Sequence, residues 1–331
     1  MGLTVEDIII RQMTPEDKES LSLLYDRVWP ENTGRHFDKT SWAIDTSEYP
    51  GVCAATDDKI IGSRACFRAN IYQGDRSVTS VQFGDSCVDE GYRRLGLFSR
   101  MNKFFIDSFF ITGNELIYNV SVAASRKAYE KLGWVYIKSM STIIKVLHPI
   151  SLLIKTRGRL NRLVGSIEVD RAPIPDVSAI PDSLFAKREA LFENTCILHN
   201  RYNKDILRWR LGSNSSIKLL NVREVGACLY KTGIKNDLKC CVIGELFLAD
   251  YSFRCFRKMI KALKALDRFD IMSISITHAH PLYPMYFRKG FFYNPFRPFL
   301  NHGVRVNSDA MKEKCMEPNN WVLSTLDLDT F

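Results

Sequence analysis

The sequence predicts an α/β protein of the α+β kind, two tandem domains that each carry a mixed, mostly antiparallel central sheet flanked by helices. Three observations predict it. Strand-like alternation and helix-like spacing of apolar residues succeed one another along all 331 residues, and a single core rarely grows past about 250–300 residues. The order of elements in residues 1–148 recurs in residues 182–331. A short segment recurs with it: Tyr129-Glu-Lys-Leu-Gly133-Trp134 ends a helix pattern in the first half, and Tyr286-Phe-Arg-Lys-Gly290-Phe291 does so in the second. Duplication of one domain is the economical explanation.

In the first half, Ile8 to Gln12 reads as a strand. Thr14 and Pro15 then start a helix that runs to Val28, with Thr14 as cap and Pro15 in the first turn. Val52–Thr56 and Ile60–Tyr72 read as two antiparallel strands joined at Asp57-Asp58-Lys59. Ser80 to Val88 alternates as a half-buried strand does, and Leu97, Met101, Phe104, Phe105 and Phe109 recur at helical spacing. A strand at 116–120, a helix at 123–132 and a strand at 134–146 complete the half.

Residues 149–181 read as a connection. His148-Pro149 breaks the pattern, and Ile150 to Val164 is apolar on one side with Lys155, Arg157, Arg159 and Arg162 on the other. That face reads as solvated, with contact to a membrane surface or an acidic partner as the sharper alternative. Ile167 to Pro181 holds three prolines and reads as an extended linker. The second half then gives a helix at 183–193, strands at 217–221, 225–231 and 239–248, a helix at 252–266, a strand at 271–277 and a short helix at 281–288.

Composition narrows the function. Lys and Arg total 46 against 37 Asp and Glu, a net charge of +9, which favours anionic ligands without choosing among them. Nine cysteines lie mostly in apolar runs without Cys-x-x-Cys or Cys/His spacing, so a zinc site is not expected and reduced thiols in a cytoplasm are. No apolar run reaches the roughly 18–20 residues of a membrane span, and the first residues carry acids where a secretory leader would be basic and then apolar. Basic residues are dispersed without the aromatic interleaving of single-strand binders, so nucleic acid is not an expected partner.

The segment from Cys87 to Met101 carries the chemistry. A strand stops, Gly91 and Gly96 let the chain turn, Arg93 and Arg94 add charge, and a helix begins. The unpaired N–H groups and positive dipole end of such a helix bind phosphate. The second half keeps the scaffold but reads Glu245-Leu-Phe-Leu-Ala-Asp-Tyr-Ser-Phe-Arg, with no glycine to let a phosphate approach.

With these residues in view, the chain resembles the GCN5-related N-acetyltransferase superfamily. Arg93-Arg94-Leu95-Gly96-Leu97-Phe98 is similar to that family's Arg/Gln-x-x-Gly-x-Gly/Ala acetyl-CoA motif, and Ser125-Arg-Lys-Ala-Tyr129-Glu-Lys131-Leu-Gly133-Trp134 to its later helix motif. Phe98 stands where Gly or Ala is usual, and Val122 where Asn is. The tandem arrangement is similar to that of two-domain members linked to bacterial surface-polysaccharide synthesis.

The resemblance implies acetyl-CoA as co-substrate, with no metal. Backbone N–H groups near Cys87 and Val88 would hold the thioester carbonyl where two strands splay apart. Those of Arg94, Gly96, Phe98 and Ser99 would hold the pyrophosphate, with Arg93, Leu95, Leu97, Ser125 and Lys131 lining the same site. Tyr129 would protonate the departing thiolate. For the base, Asp85 shares a strand face with Phe83 and Cys87 if alternation is unbroken, while Gln82 on the other face could position a water. Cys87 as an acyl-accepting nucleophile is disfavoured, because no histidine lies nearby in sequence.

The second half is expected to bind no CoA and to help shape the acceptor cleft. Trp209 and Arg210 could stack on and pair with a sugar or phosphate, and His278, with His280 two residues on, could make loop or acceptor contacts. The expected reaction is acetyl transfer to a primary amine of a small molecule, a nucleotide-linked amino sugar being the preferred acceptor. Acylation of a protein or peptide amine, and a silent CoA- or nucleic-acid-binding module, are the alternatives.

Overall fold

A computed structural model describes residues 7–30, 40, 44, 51–110, 115–121, 123–157, 167–212, 216–296 and 299–328. The chain forms two compact units, neither continuous in sequence: Met1–Ile71 with Val78–Ile137 and Asn301–Met316, and Tyr72–Ser77 with Lys138–Leu300 and Glu317–Phe331.

The first unit is built on strands β1 (Ile9–Gln12), β2 (Val52–Ala55), β3 (Ile60–Arg68), β4 (Ser80–Val88), β5 (Leu116–Ser121) and β6 (Val135–Ile137), with helices α1 (Lys18–Val28), α2 (Leu97–Phe105) and α3 (Ala123–Lys131). Strand Asn301–Val306 lies between β5 and β6 and closes a seven-stranded sheet. Pairing is antiparallel except between β4 and β5.

The two faces of this sheet take different helices. α1 starts from a capping box between Thr14 and Asp17 with Pro15 in the first turn. It buries Leu21, Leu24 and Tyr25 against Met13, Cys53, Ile60 and Cys87. α2 places Leu97, Met101 and Phe105 four residues apart, so one stripe meets Val52, Ala54, Val81 and Phe83 on the opposite face. Each fully buried Leu, Met or Phe there contributes about 1.5–3 kcal/mol of transfer free energy.

The second unit repeats this order. It contains β7 (Met140–Val146), α4 (Pro149–Thr156), α5 (Asp182–Glu189), α6 (Lys204–Leu211), β8 (Gly226–Lys235), β9 (Leu238–Leu248), α7 (Phe253–Ala265), β10 (Ile271–Thr277) and α8 (Tyr283–Arg288). β8 and β9 are antiparallel, β9 and β10 parallel, and β7 lies between β10 and the short strand Phe292–Tyr293. β7 therefore holds in this sheet the place that Asn301–Val306 holds in the first.

These connections correct the expected boundaries. The single strand expected over 134–146 is two strands, β6 in the first unit and β7 in the second, and the strand that replaces β7 in the first unit comes from residues 301–306. The domains thus do not divide at 148. Nor is 149–181 a free linker: Leu152 of α4 packs with Ile144, Leu238, Cys240 and Ile271, and Glu168–Val169 pairs with Ile234 and Gly233. Arg159 and Arg162 lie outside the described residues.

Candidate active site

Two irregularities in the first sheet create a site at the end of β4. The first is a bulge. Ser63 faces Cys87 and Ala65 faces Gly84, so Arg64 alone opposes both Asp85 and Ser86, and Asp85 takes a left-handed φ of 39°. The extra residue shifts the side-chain alternation beyond it. Phe83 packs with α2, but Cys87 packs with α1 on the other face. The expected common face of Phe83, Asp85 and Cys87 is therefore broken at Asp85, and Cys87 is a buried thiol whose pKa burial and the Asp85 charge push up. That argues further against a thiolate nucleophile.

The second irregularity is a splay. The parallel ladder between β4 and β5 holds only from Ser80/Leu116 to Gln82/Tyr118. Asp89 N–H bonds Ile61 carbonyl at 2.9 Å, toward β3, and strand N–H groups alternate in direction. Val88 N–H therefore points to the opposite edge, beyond the last pair with β5. Asn119, one residue past that pair, is 2% exposed, and neither atom of its amide has a hydrogen-bond partner among the described residues. A buried amide of this kind needs a partner, and its carbonyl oxygen lies beside Gly303 of the adjoining strand.

The turn that follows is held open. Asp89 caps a short 3-10 turn at Glu90–Tyr92 and pairs with Arg27 of α1 at 2.9 Å. Arg93 folds back, its Nε 3.3 Å from Val88 carbonyl. Arg94 and Gly96 both take left-handed φ, 70° and 71°, and Gly96 caps α2 without any side-chain bond to its first N–H groups. A Cβ built on Gly96 would meet nothing within 4 Å. Arg93, Arg94, Leu95 and Ser99 are exposed, whereas Leu97 turns into the core. The first N–H groups of α2 thus have no side chain capping them and lie beside two exposed arginines, features that suit a pyrophosphate.

Tyr129 on α3 is buried and is ringed by Phe98 and Trp134, with centroids at 5.1 and 4.8 Å. Phe98, which stands where Gly or Ala is usual in the motif, turns its ring onto Tyr129 and leaves its backbone to the turn. The phenol oxygen accepts a 2.5 Å hydrogen bond from Arg64 Nη2. Arg64 is 1% exposed and its guanidinium sits over Phe83, Phe98 and Tyr129 at 4.7, 5.6 and 5.5 Å. Tyr25 hydroxyl lies 3.1 Å from Ser63 hydroxyl, and burial, with the Asp85 charge after it, pushes the Tyr25 pKa up. Gln82 is buried at the last rung of the parallel ladder. Ser125 is half-buried and Lys131 exposed on α3; Val122 lies outside the described residues.

The structure thus gathers Gln82, Asp85, Val88, the 93–99 turn and Tyr129 in one unit. Arg64, Asn119, Ser63 and Tyr25 went unnoticed in sequence. For Arg64 a signal existed: one arginine inside Ile60-Ile-Gly-Ser-Arg64-Ala-Cys-Phe67 must either reach solvent or be buried with a purpose.

The three proposed acceptor contacts belong to the second unit. Arg210 is corrected: it is buried and donates to the carbonyls of Leu326 and, at 2.8 Å, Leu328, so its guanidinium clamps the closing segment rather than facing a ligand. His278 bonds Ser141 at 2.8 Å and packs on Tyr283 and Phe299; Trp209 is half-buried on α6. In this unit the equivalent bulge, at Gly244, is followed by Glu245, buried between Arg188 and His280 at 3.4 Å each. The next helix, α7, has its N-terminus capped by the Ser252 side chain. The feature left open at Gly96 is closed here. Among the described residues no group of three or more His, Cys, Asp or Glu could hold a metal ion.

Residues 9–137 match the family model described as an acetyltransferase (GNAT) domain. None of the curated proteins matches the sequence. Many solved structures share the fold, and three of them illustrate it. A GCN5-related N-acetyltransferase from Anabaena variabilis matches with a TM-score of 0.63 at 9% identity, over 90% of this chain and 72% of that one. A putative acetyltransferase from Pyrococcus horikoshii matches at 0.55 and 14%, over 93% and 92%. A GCN5-related N-acetyltransferase from Kribbella flavida matches at 0.55 and 10%, over 91% and 72%.

Proposed function

We propose that the protein, whose residues 9–137 match the model of a GNAT acetyltransferase domain, is an N-acetyltransferase that moves the acetyl group of acetyl-CoA directly to a primary amine of a small molecule. The observation that carries the reading is the left-handed turn at Arg94–Gly96, opening onto an uncapped helix beside the splay of β4 from β5.

In this reading the N–H groups of Arg94, Gly96, Phe98 and Ser99 hold the pyrophosphate, and Arg93 and Arg94 add charge. The pantetheine arm enters the splay, where Asn119 gains the amide partners it lacks. Val88 N–H polarises the thioester carbonyl, a reading supported by its direction away from β3, whereas Cys87 N–H alternates the other way. The amine nitrogen attacks the carbonyl carbon; the C–N bond forms, the C–S bond breaks, and the thiolate takes the Tyr129 proton. Arg64, which can only donate, stabilises the phenolate left behind. The amine's proton leaves to Asp85, or to a water held by Gln82.

For the acceptor, the net charge of +9 supports an anionic amine, and a nucleotide-linked amino sugar of the surface-polysaccharide kind is the preferred class. The tandem arrangement reads as one active domain with a second that has lost its cofactor site, since Ser252 and Glu245 fill the equivalent positions. Titration calorimetry with acetyl-CoA, followed by an amine screen that includes nucleotide-linked amino sugars and peptides, tests both levels. Absence of binding at millimolar acetyl-CoA overturns the first, and turnover confined to peptide amines overturns the second.

A further inference from the structure

Helix α4 inverts the usual pattern of a surface helix. Its inner side is fixed: Leu152 and Thr156 are buried, and Ser151 and Lys155 each reach Asp270 at 2.7 Å, which also accepts Lys239 N–H at 2.9 Å. Its outer side is Ile150, Leu153 and Ile154, 76%, 55% and 71% exposed. Their i, i+3, i+4 spacing makes one continuous aliphatic stripe, on a helix too firmly anchored to turn it inward.

The surroundings are cationic. Two cavities of about 450 and 510 Å3 adjoin the start of α4 and share Leu147, His148 and Arg268; Lys264 lines the first, and Ile150 and Ile154 the second. Arg157 ends the helix. Arg157, Lys264 and Arg268 form no ion pair with any described residue, whereas the two acids nearby, Asp267 and Asp270, are taken by Lys239 and Lys155. An apolar centre with unpaired cations beside it is complementary to a lipid surface whose phosphates lie above its acyl chains. A second copy of this face would set the same cations against each other.

We propose that α4 docks the protein on an anionic phospholipid surface, with Ile150, Leu153 and Ile154 entering the acyl boundary and Arg157, Lys264 and Arg268 meeting phosphates. The docking is interfacial, as no helix among the described residues is long and apolar enough to span a membrane. The proposal is independent of the acetyl acceptor.

Flotation of the full chain with phosphatidylglycerol-containing vesicles, against pure phosphatidylcholine vesicles, tests it. Binding should be at least about tenfold tighter to the anionic vesicles and weaken in high salt. The double variant Ile150→Asn/Ile154→Asn should lose at least about tenfold, and Arg268→Glu a smaller share, with melting and acetyl-CoA binding retained because both sites are exposed and outside the acetyl-transfer machinery. Equal binding to both vesicle types, no binding, or an unchanged double variant overturns the proposal. So does a dimer, seen by light scattering, that the double variant dissolves.

Discussion

Tyr129, Arg64 and Asn119 show how one side chain's surroundings decide its role. Tyr129 is packed by Phe98 and Trp134 as a core aromatic would be, but its oxygen is held by a buried guanidinium, an arrangement that packing alone does not require. Tyr129→Phe should lower turnover by about 100-fold or more with little change in acetyl-CoA KM, and Arg64→Met should follow it in kcat; unchanged steady-state rates would remove both from the mechanism. Asn119→Leu separates stability from binding. Removing an amide buried without partners should stabilise the free protein by about 1–3 kcal/mol while weakening acetyl-CoA binding. A lower melting temperature, or unaltered affinity, would contradict the assignment.

At the scale of elements, the working feature is a junction rather than a residue: a bulged strand, a left-handed turn and a helix without a cap. The second unit has the bulge and the helix, but there Ser252 caps α7 and Glu245 is locked by Arg188 and His280. Gly96→Val tests the junction. A left-handed φ costs a branched residue about 1–2 kcal/mol, and the new side chain has no protein neighbour within 4 Å of its Cβ, so the fold should hold. Its methyl groups would stand at the proposed pyrophosphate position, and calorimetry should show acetyl-CoA affinity down by at least about tenfold; wild-type affinity would move the cofactor elsewhere. This junction was legible in sequence because Gly91, Arg93, Arg94 and Gly96 sit between a period-two and a period-3.6 pattern. The bulge was not, since alternation through Phe83, Asp85 and Cys87 looks unbroken until Arg64 is seen to face two residues.

Across the whole molecule, each unit completes its sheet with a strand from the other half of the sequence. His302 rides on the strand that enters the first unit, buried opposite Val120 and Ile137, and burial lowers its pKa to about 3 from 6.5. Between those values the unfolded chain binds a proton that the folded one refuses. Stability should therefore be full above about pH 6.5 and fall by about 1.4 kcal/mol per pH unit below it. Denaturant titrations from pH 7 to 4.5 should show that slope reduced in His302→Gln; parallel slopes for the two proteins would exclude His302 as the source.

The sequence by itself determined the fold class, the repeated order of elements, the phosphate-ready turn and the position of Tyr129, because each is written in local periodicity or in residues needed at fixed spacing. Only the tertiary structure decided that residues 140–146 and 301–306 exchange sheets, that Arg64 reaches Tyr129, and that Arg210 is spent on carbonyls. Backbone ladders are generic, so a strand's sequence does not name its sheet. A long side chain's partner depends on which distant segments fold beside it.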